Sequence, residues 1–119
     1  MNKKQIENQE KLIKSLKNAN LINDQLYTRA YIHDKISFSN DGINKIKKDL
    51  LNQEIEEKII DNELEKINQE EQKQKLEKLI TKKLNSNTKY SNKMIKQKLT
   101  NYFINLGYDK EDIKNGFKN

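Results

Sequence analysis

An internal repeat constrains this chain more than any other feature of its sequence. Apolar and aromatic residues between positions 46 and 64 recur 53 positions later, between 99 and 117. A period of about 50 residues is typical of stacked helical units rather than of one irregular domain. We therefore predict an all-α protein, in which tandem three-helix repeats form an elongated, curved helical array. The matched pairs are Ile46 with Leu99, Leu50 with Phe103, Leu51 with Ile104, Ile55 with Tyr108, Ile60 with Ile113 and Leu64 with Phe117.

The second copy of this repeat predicts two helices joined by a tight corner. Ser91 is a suitable N-cap for the first helix, because its hydroxyl can accept from an unpaired N–H of the first turn. Gly107 suits the left-handed residue that ends this helix, and Asp109 suits the N-cap of the next one. Ile113 and Phe117 are expected on the buried side of that second helix. The apolar stripe of the first helix consists of Met94, Ile95, Leu99, Tyr102, Phe103 and Leu106.

Helical periodicity organises the rest of the chain. It predicts further helices over residues 3–19, 24–37, 42–53, 55–67 and 69–85. The first of these would lack the two helices that cover its apolar side. We therefore expect it to fray, or to support dimerisation of an otherwise monomeric protein. This gives three repeats, of which the first keeps only its last helix: residues 1–20, 21–68 and 69–119.

The composition limits the class of protein. With 33% apolar and 35% charged residues, narrow seams between helices are expected rather than a thick core. The chain has no proline and three glycines, which favours long helices. No stretch is apolar enough for a transmembrane helix, and the N-terminus does not resemble a secretory signal. Because cysteine is also absent, we expect a cytoplasmic protein.

The charge is distributed unevenly along the chain. Residues 41–68 hold five lysines and eight acidic residues, whereas residues 73–98 hold nine lysines and one acidic residue. One interpretation is a basic face for nucleic acid or another polyanion; the other is a solvated, lysine-rich helix surface. The lysines in question are Lys73, Lys75, Lys78, Lys82, Lys83, Lys89, Lys93, Lys96 and Lys98.

Catalytic chemistry has little support in the sequence. A catalyst needs converging groups of suitable pKa, but the chain has one histidine, His33, and no cysteine. His33 is expected on the solvated side of its helix. The glycines at 42, 107 and 116 are too scattered for a phosphate-binding loop. We therefore expect a protein that is not an enzyme and needs no metal or cofactor.

Arg29 is the residue most suited to recognition. It is the only arginine, and its planar guanidinium can bind a carboxylate or phosphate through two hydrogen bonds. The alternative is a structural role, in which Arg29 pairs with Asp24 or another acid of the same repeat and packs its stem on Tyr31. Aromatic residues of the second copy could stack on nucleobases, although we predict that they form core: Tyr102, Phe103, Tyr108 and Phe117.

Three stretches carry a resemblance to a known family. They are LINDQLYTRAYIHDKI at residues 21–36, GINKIKKDLLNQEI at 42–55 and LTNYFINLGYDKEDIKNGF at 99–117. In this order and at these separations they resemble the bacterial recombination regulator RecX family, as an N-terminally short member or fragment. Glu54 departs from the family pattern, which usually has glycine there, so we expect this corner to be capped in another way.

The resemblance implies a function based on binding. It implies a regulator of the RecA recombinase that lies in the groove of the RecA–DNA filament and inhibits its ATPase and recombination activity. The tentative contacts to RecA or DNA are Arg29 and the nine lysines. One alternative is a small basic helical module that binds nucleic acid without RecA. Another is a structural scaffold, in which acidic and basic segments pair between chains.

Overall fold

The computed structural model describes residues 23–86 and 92–117, together with Lys11. Within these ranges the chain forms six α helices and no strand, so the all-α prediction is confirmed. The predicted helix over 3–19, except Lys11, and the predicted cap at Ser91 lie outside the described residues. The helices are α1 (Asp24–Phe38), α2 (Ile43–Asn52), α3 (Glu57–Leu64), α4 (Gln69–Ser86), α5 (Asn92–Asn105) and α6 (Lys110–Gly116).

The helices belong to two compact units. Among the described residues, unit 1 comprises 23–41 and 46–67, and unit 2 comprises 42–45, 68–86 and 92–117. In unit 1, α1 packs against α3, with the buried residues Tyr27, Ile32, Ile46, Leu50, Ile55, Ile60 and Leu64. In unit 2, α4, α5 and α6 pack together around Leu76, Ile80, Ile95, Leu99, Phe103, Tyr108 and Ile113. The assignment of three repeats along the chain stays a prediction.

The buried seams are narrower than the apolar stripes suggested. On α5, Ile95, Leu99 and Phe103 are buried and follow one another at intervals of four, which is a single ridge of the helix. Met94 and Tyr102, which we predicted on the buried stripe, are exposed. The reason is geometric, because a residue next to the ridge is turned by about 100° around the helix, away from the buried ridge.

Both copies of the repeat end their first helix in the same hydrogen-bonded corner. Gly107 has φ 103°, its N–H donates to Ile104 O, and Tyr108 N–H donates to Phe103 O. Fifty-three positions earlier, Glu54 has φ 64°, with the equivalent bonds from Glu54 to Leu51 and from Ile55 to Leu50. This pair of bonds is the Schellman motif, which satisfies the last carbonyls of a helix. The left-handed residue predicted at Gly107 is confirmed.

The expectation that Glu54 needs another kind of cap is wrong. Glu54 adopts the left-handed conformation itself, although it carries a side chain that makes this conformation unfavourable. The strain is tolerated because Ile55, the next residue, is driven into the core beside Leu50. In both copies an apolar residue near the helix end stays at the surface: Leu51 is 40% exposed and Ile104 41%.

Glycine is also required where the start of α2 meets the end of α5 in unit 2. Gly42 N–H donates to Leu106 O at 2.6 Å, and Asn44 N–H donates to Gly107 O at 3.0 Å. A Cβ on Gly42 would lie 2.5 Å from the carbonyl carbon of Gly107, so the two backbones leave no room for a side chain. Asp109 occupies the N-cap position of α6, but its carboxylate accepts from the Asn44 side chain at 2.7 Å rather than from its own helix.

We expect Glu54→Gly to stabilise the protein by about 1 kcal/mol, because glycine adopts a positive φ without the Cβ clash. Urea unfolding followed by circular dichroism measures the change. Glu65→Gly is the matched control, because Glu65 is exposed and has a right-handed backbone. The control should leave stability unchanged or lower it. A loss of stability for Glu54→Gly would contradict the account of this corner.

We expect Gly42→Ala to destabilise the protein by about 1–3 kcal/mol, because the new methyl group would press on the rigid backbone of Gly107. The same unfolding experiment applies. Gly116→Ala is the control: its Cβ would also meet an atom at 2.5 Å, but that atom is the movable Cδ1 of Ile80. If the two variants lose equal free energy of unfolding, backbone crowding at Gly42 does not explain the destabilisation.

Candidate functional site

Arg29 on α1 forms an ion pair with a buried carboxylate on α3. Its Nε lies 2.9 Å from Oε1 of Glu63, whose side chain is 2% exposed. Lys66 approaches the same carboxylate, with Nζ 2.8 Å from Oε2. Hydrogen bonding to Lys66, and then to Arg29, lowers the pKa of Glu63 below its ordinary value, against the opposing effect of burial. The carboxylate therefore stays ionised and holds two cations at the surface of unit 1.

This geometry shows the structural role considered for Arg29, which is pairing with an acidic residue of the same repeat. The partner is Glu63 rather than Asp24. Tyr31 stacks on Tyr27, with ring centroids 6.1 Å apart. The Arg29 side chain nevertheless remains 53% exposed, so its guanidinium is accessible to solvent while Glu63 fixes its position. The two roles are therefore compatible, and contact with a partner through Arg29 stays a prediction.

Sequence reasoning missed Glu63, although a signal was present. Glu63 follows Ile59 by four positions and Ile60 by three, so it lies on the apolar side of α3. A carboxylate at such a position is rarely buried unless a cation pairs with it. The lone arginine, on the helix that packs against α3, was the obvious candidate for that cation.

A second ion-pair group in unit 1 lies at the surface between α2 and α3. Lys47 Nζ is 2.9 Å from Asp61 and 3.6 Å from Glu57. The hydrogen bond to Asp61 raises the pKa of Lys47 above its ordinary value. Because this group is exposed, we expect solvent to screen it and its contribution to stability to be small.

The predicted lysines of α4 do not share one side of the helix. Lys78 and Lys82 are exposed, and each is two positions from the buried Ile80, which places them on nearly the opposite side of α4. Lys75, three positions before Lys78, lies along the same side and is partly buried. These three residues form one basic line on unit 2.

The other two predicted lysines of α4 occupy separate positions. Lys73 lines a cavity of about 240 Å³ in unit 2, together with Gln72, Asp109 and Asp112. Lys83 places its ammonium 5.0 Å from the ring centroid of Tyr102 on α5. Both are exposed, but neither continues the line formed by Lys75, Lys78 and Lys82.

The lysines of α5 are exposed at Lys93, Lys96 and Lys98. Lys96 lies 6.0 Å from the ring centroid of Phe117, and Lys98 precedes Tyr102 by one turn. The predicted contact Lys89 lies outside the described residues. The lysines of unit 2 therefore lie on several sides of the α4–α5 pair and do not form a single stripe. Their role as contacts to RecA or DNA stays a prediction.

The aromatic residues divide between core and surface. Phe103 and Tyr108 are buried, Phe117 is partly buried, and they pack with the apolar cluster of unit 2 as predicted. Tyr102 differs from this prediction, because its ring is 41% exposed.

A group of side chains that could hold a metal ion is not assembled in the part of the chain that the structure describes. There, no three His, Cys, Asp or Glu side chains lie close enough to hold a metal ion. The His33 side chain is exposed, and its Nδ1 lies 3.8 Å from Asp34. Across residues 23–86 and 92–117, no helix has the length and apolar character needed to cross a membrane.

We expect Glu63→Gln to lower the free energy of unfolding by about 1–2 kcal/mol at pH 7, because Arg29 and Lys66 lose their anionic partner. The pKa of Glu63 is lowered on folding, so this stability is present above the ordinary value of 4.5 and is lost as the pH falls through the folded value. Urea unfolding between pH 7 and pH 3 should therefore show the two proteins converging in acid. The exposed Glu65→Gln is the control and should follow the wild type; a constant gap would contradict the ion-pair account.

The chain is similar to proteins named regulatory protein RecX. It is 33% identical to the one from Oceanobacillus iheyensis over 98 residues, which cover 82% of this chain and 36% of that protein. It is 38% identical to the one from Clostridium beijerinckii over 104 residues, which cover 86% of this chain and 48% of that protein. No protein-family model matches the chain. The chain thus spans less than half the length of these two relatives.

The fold is similar to a solved structure with the same name. The crystal structure of RecX from Lactobacillus salivarius superposes with a TM-score of 0.76 and covers 88% of this chain and 68% of that one. At 23% identity, this match supports the fold alone. The sequence identity to the curated relatives, which extends over more than four fifths of this chain, supports the relationship itself. The chain belongs to the RecX family of regulatory proteins.

Proposed function

We propose that this chain binds the RecA recombinase, or the filament that RecA forms on DNA, and inhibits its ATPase and recombination activity. The observation that carries the proposal is the similarity to regulatory proteins of the RecX family over most of the chain. A regulator of this kind acts by binding to its target. The proposed inhibition is therefore steric and electrostatic.

The proposed contacts come from both units. In unit 2, Lys78 and Lys82 project from the side of α4 opposite its core, where they can meet DNA phosphates or acidic groups of RecA. In unit 1, Arg29 offers a guanidinium that Glu63 already holds in place. A cation fixed before binding loses less side-chain entropy when a partner binds.

A second candidate function is binding to nucleic acid without RecA. The exposed lysines of α4 and α5 favour it, because lysine–phosphate contacts give affinity without sequence preference. Such binding would weaken steeply as salt is raised. The two functions differ in whether RecA, and not DNA alone, determines binding.

The test is the DNA-dependent ATPase of RecA at about 0.15 M salt, with this chain titrated from well below the RecA concentration to near it. We expect inhibition at substoichiometric amounts. The double variant Lys78→Glu/Lys82→Glu should need roughly ten-fold more protein for half-inhibition, because two attractions become repulsions.

The matched control is Lys48→Glu/Lys58→Glu, which makes the same charge change at exposed positions of unit 1. It should inhibit like the wild type. If the chain leaves the RecA ATPase unchanged but still shifts the mobility of bare DNA, the nucleic-acid function replaces the RecA-directed one. If the control variant loses inhibition as strongly as the α4 variant, net charge rather than a site on α4 is responsible.

A further inference from the structure

Two cations in unit 1 share one buried carboxylate. Arg29 Nε lies 2.9 Å from Oε1 of Glu63, and Lys66 Nζ lies 3.3 Å from the same oxygen and 2.8 Å from Oε2. Because both nitrogens contact Oε1, they are close neighbours. The Glu63 side chain is 2% exposed, whereas those of Arg29 and Lys66 are 53% and 57% exposed. Cations from two different parts of unit 1 are thus held together at its surface.

Both cations keep hydrogen-bond donors that Glu63 does not use. Glu63 accepts from the Nε of Arg29, which leaves the two Nη groups of the guanidinium without a partner. The Lys66 ammonium has three N–H groups, whereas Glu63 offers it two oxygens. Within the described part of the chain, Glu63 is the only partner that either cation has in a hydrogen bond or ion pair. The remaining donors are therefore available to a ligand from solvent.

The other acidic residues near these cations are turned away from them. Those nearest to Glu63 are two positions from it, about 200° around α3, and those of α1 are five positions from Arg29, about 140° around that helix. They are Asp61 and Glu65, and Asp24 and Asp34. One helical turn from the cations, the exposed side chains are Gln25, His33 and Asn62, none of which is acidic. Two cations against one carboxylate leave one positive charge in excess.

We propose that Arg29 and Lys66 together bind a phosphate group of a nucleic-acid strand, and that Glu63 positions them for it. Arginine binds phosphate through two parallel N–H···O bonds, and lysine binds it as a point charge. A carboxylate that holds both cations beforehand reduces the side-chain entropy that binding would otherwise cost. The proposal names the ligand of the contact given above to Arg29 and rests on the proposed function to that extent, but the binding itself needs no RecA.

The composition of this surface favours a nucleic acid over an acidic segment of a partner protein. The core of a protein interface is depleted of lysine, whereas Lys66 is one half of this site and exposed polar side chains lie one turn away. The whole chain carries a net charge of +6, which attracts a polyanion from a distance. Because a phosphate recurs at every nucleotide, a strand offers this site a ligand in any register.

The experiment measures binding of a labelled oligothymidine of about 16 nucleotides by fluorescence anisotropy, without RecA. Lys66→Gln and Arg29→Lys should each weaken binding about 3- to 10-fold. Lys66→Gln should also reduce the slope of log affinity against log salt by about one. Arg29→Lys keeps the charge, so it tests the planar guanidinium itself. The control is Lys58→Gln, which removes an exposed charge from α3 and should change the affinity less than about two-fold.

Glu63→Gln separates a positioned pair of cations from a simple gain of charge. It removes a negative charge, so electrostatic attraction alone would make the strand bind more tightly. Loss of the shared anion also frees both cations, so we expect binding about 3-fold weaker at pH 7. Glu65→Gln is the matched control, because it removes the same charge at an exposed position and should bind at least as tightly as the wild type. Circular dichroism establishes that all variants are folded.

Tighter binding by Glu63→Gln than by the wild type would overturn the proposal. So would wild-type affinity in Lys66→Gln or Arg29→Lys, or an equal loss of affinity in Lys58→Gln. A labelled polyglutamate of the same length should bind more weakly than the oligothymidine, and equal or tighter binding would assign the site to an acidic protein segment instead. These measurements contain no RecA, so they leave the proposed inhibition of RecA to be decided by the ATPase experiment alone.

Discussion

Two residues with a positive φ determine how each unit of this protein is built. At Glu54 and at Gly107 the chain leaves a helix through two backbone bonds that satisfy the last carbonyls and reverse its course. The next residue, Ile55 or Tyr108, enters the core, and the following short helix places Ile60 or Ile113 there as well. Without this corner, α3 and α6 would have no fixed entry into their units.

Most of the local structure could be predicted from the sequence. The helices, their order and the left-handed residue at Gly107 follow from periodicity and from the conformational freedom of glycine. The helix predicted over 55–67 is shorter in the structure, at Glu57–Leu64. It begins later than predicted because Ile55 belongs to the corner at Glu54 and Glu56 is the N-cap. The left-handed Glu54 itself was not predicted, since its strain is tolerated only through packing that the sequence does not display.

Burial around each helix was harder to predict than the helix itself. The width of an apolar stripe gives the range of residues that can be buried, whereas neighbouring helices select one ridge within it. That selection left Tyr102 at the surface and buried Phe103 next to it. The arrangement of the predicted lysine contacts was hard to predict for the same reason. Lysine spacing alone did not show that Lys73, Lys78 and Lys83 lie on different sides of α4.

Equivalent positions of the repeat show two solutions to one packing problem. Position 63 in unit 1 corresponds to position 116 in unit 2, both at the end of the short helix. In unit 2 a glycine brings α6 within close reach of Ile80 on α4. In unit 1 the same place holds Glu63, which bonds Arg29 on α1. In unit 1 an ion pair therefore stands where unit 2 has close apolar packing. The same ion pair holds Arg29 at the surface, so the candidate site of unit 1 arises from the way its helices pack.

The close approach of Gly42 and Gly107 has a consequence for the growing chain. Unit 2 is not one continuous stretch of sequence, because it includes residues 42–45. Gly42 contacts Gly107, which lies 65 positions later in the chain. During synthesis from the N-terminus, the N–H groups of Gly42 and Asn44 emerge first and bond to water until the end of α5 has been made. Closing so long a loop is slow relative to forming a helix. These two bonds of unit 2 therefore form only after α5 and the corner at Gly107 have left the ribosome.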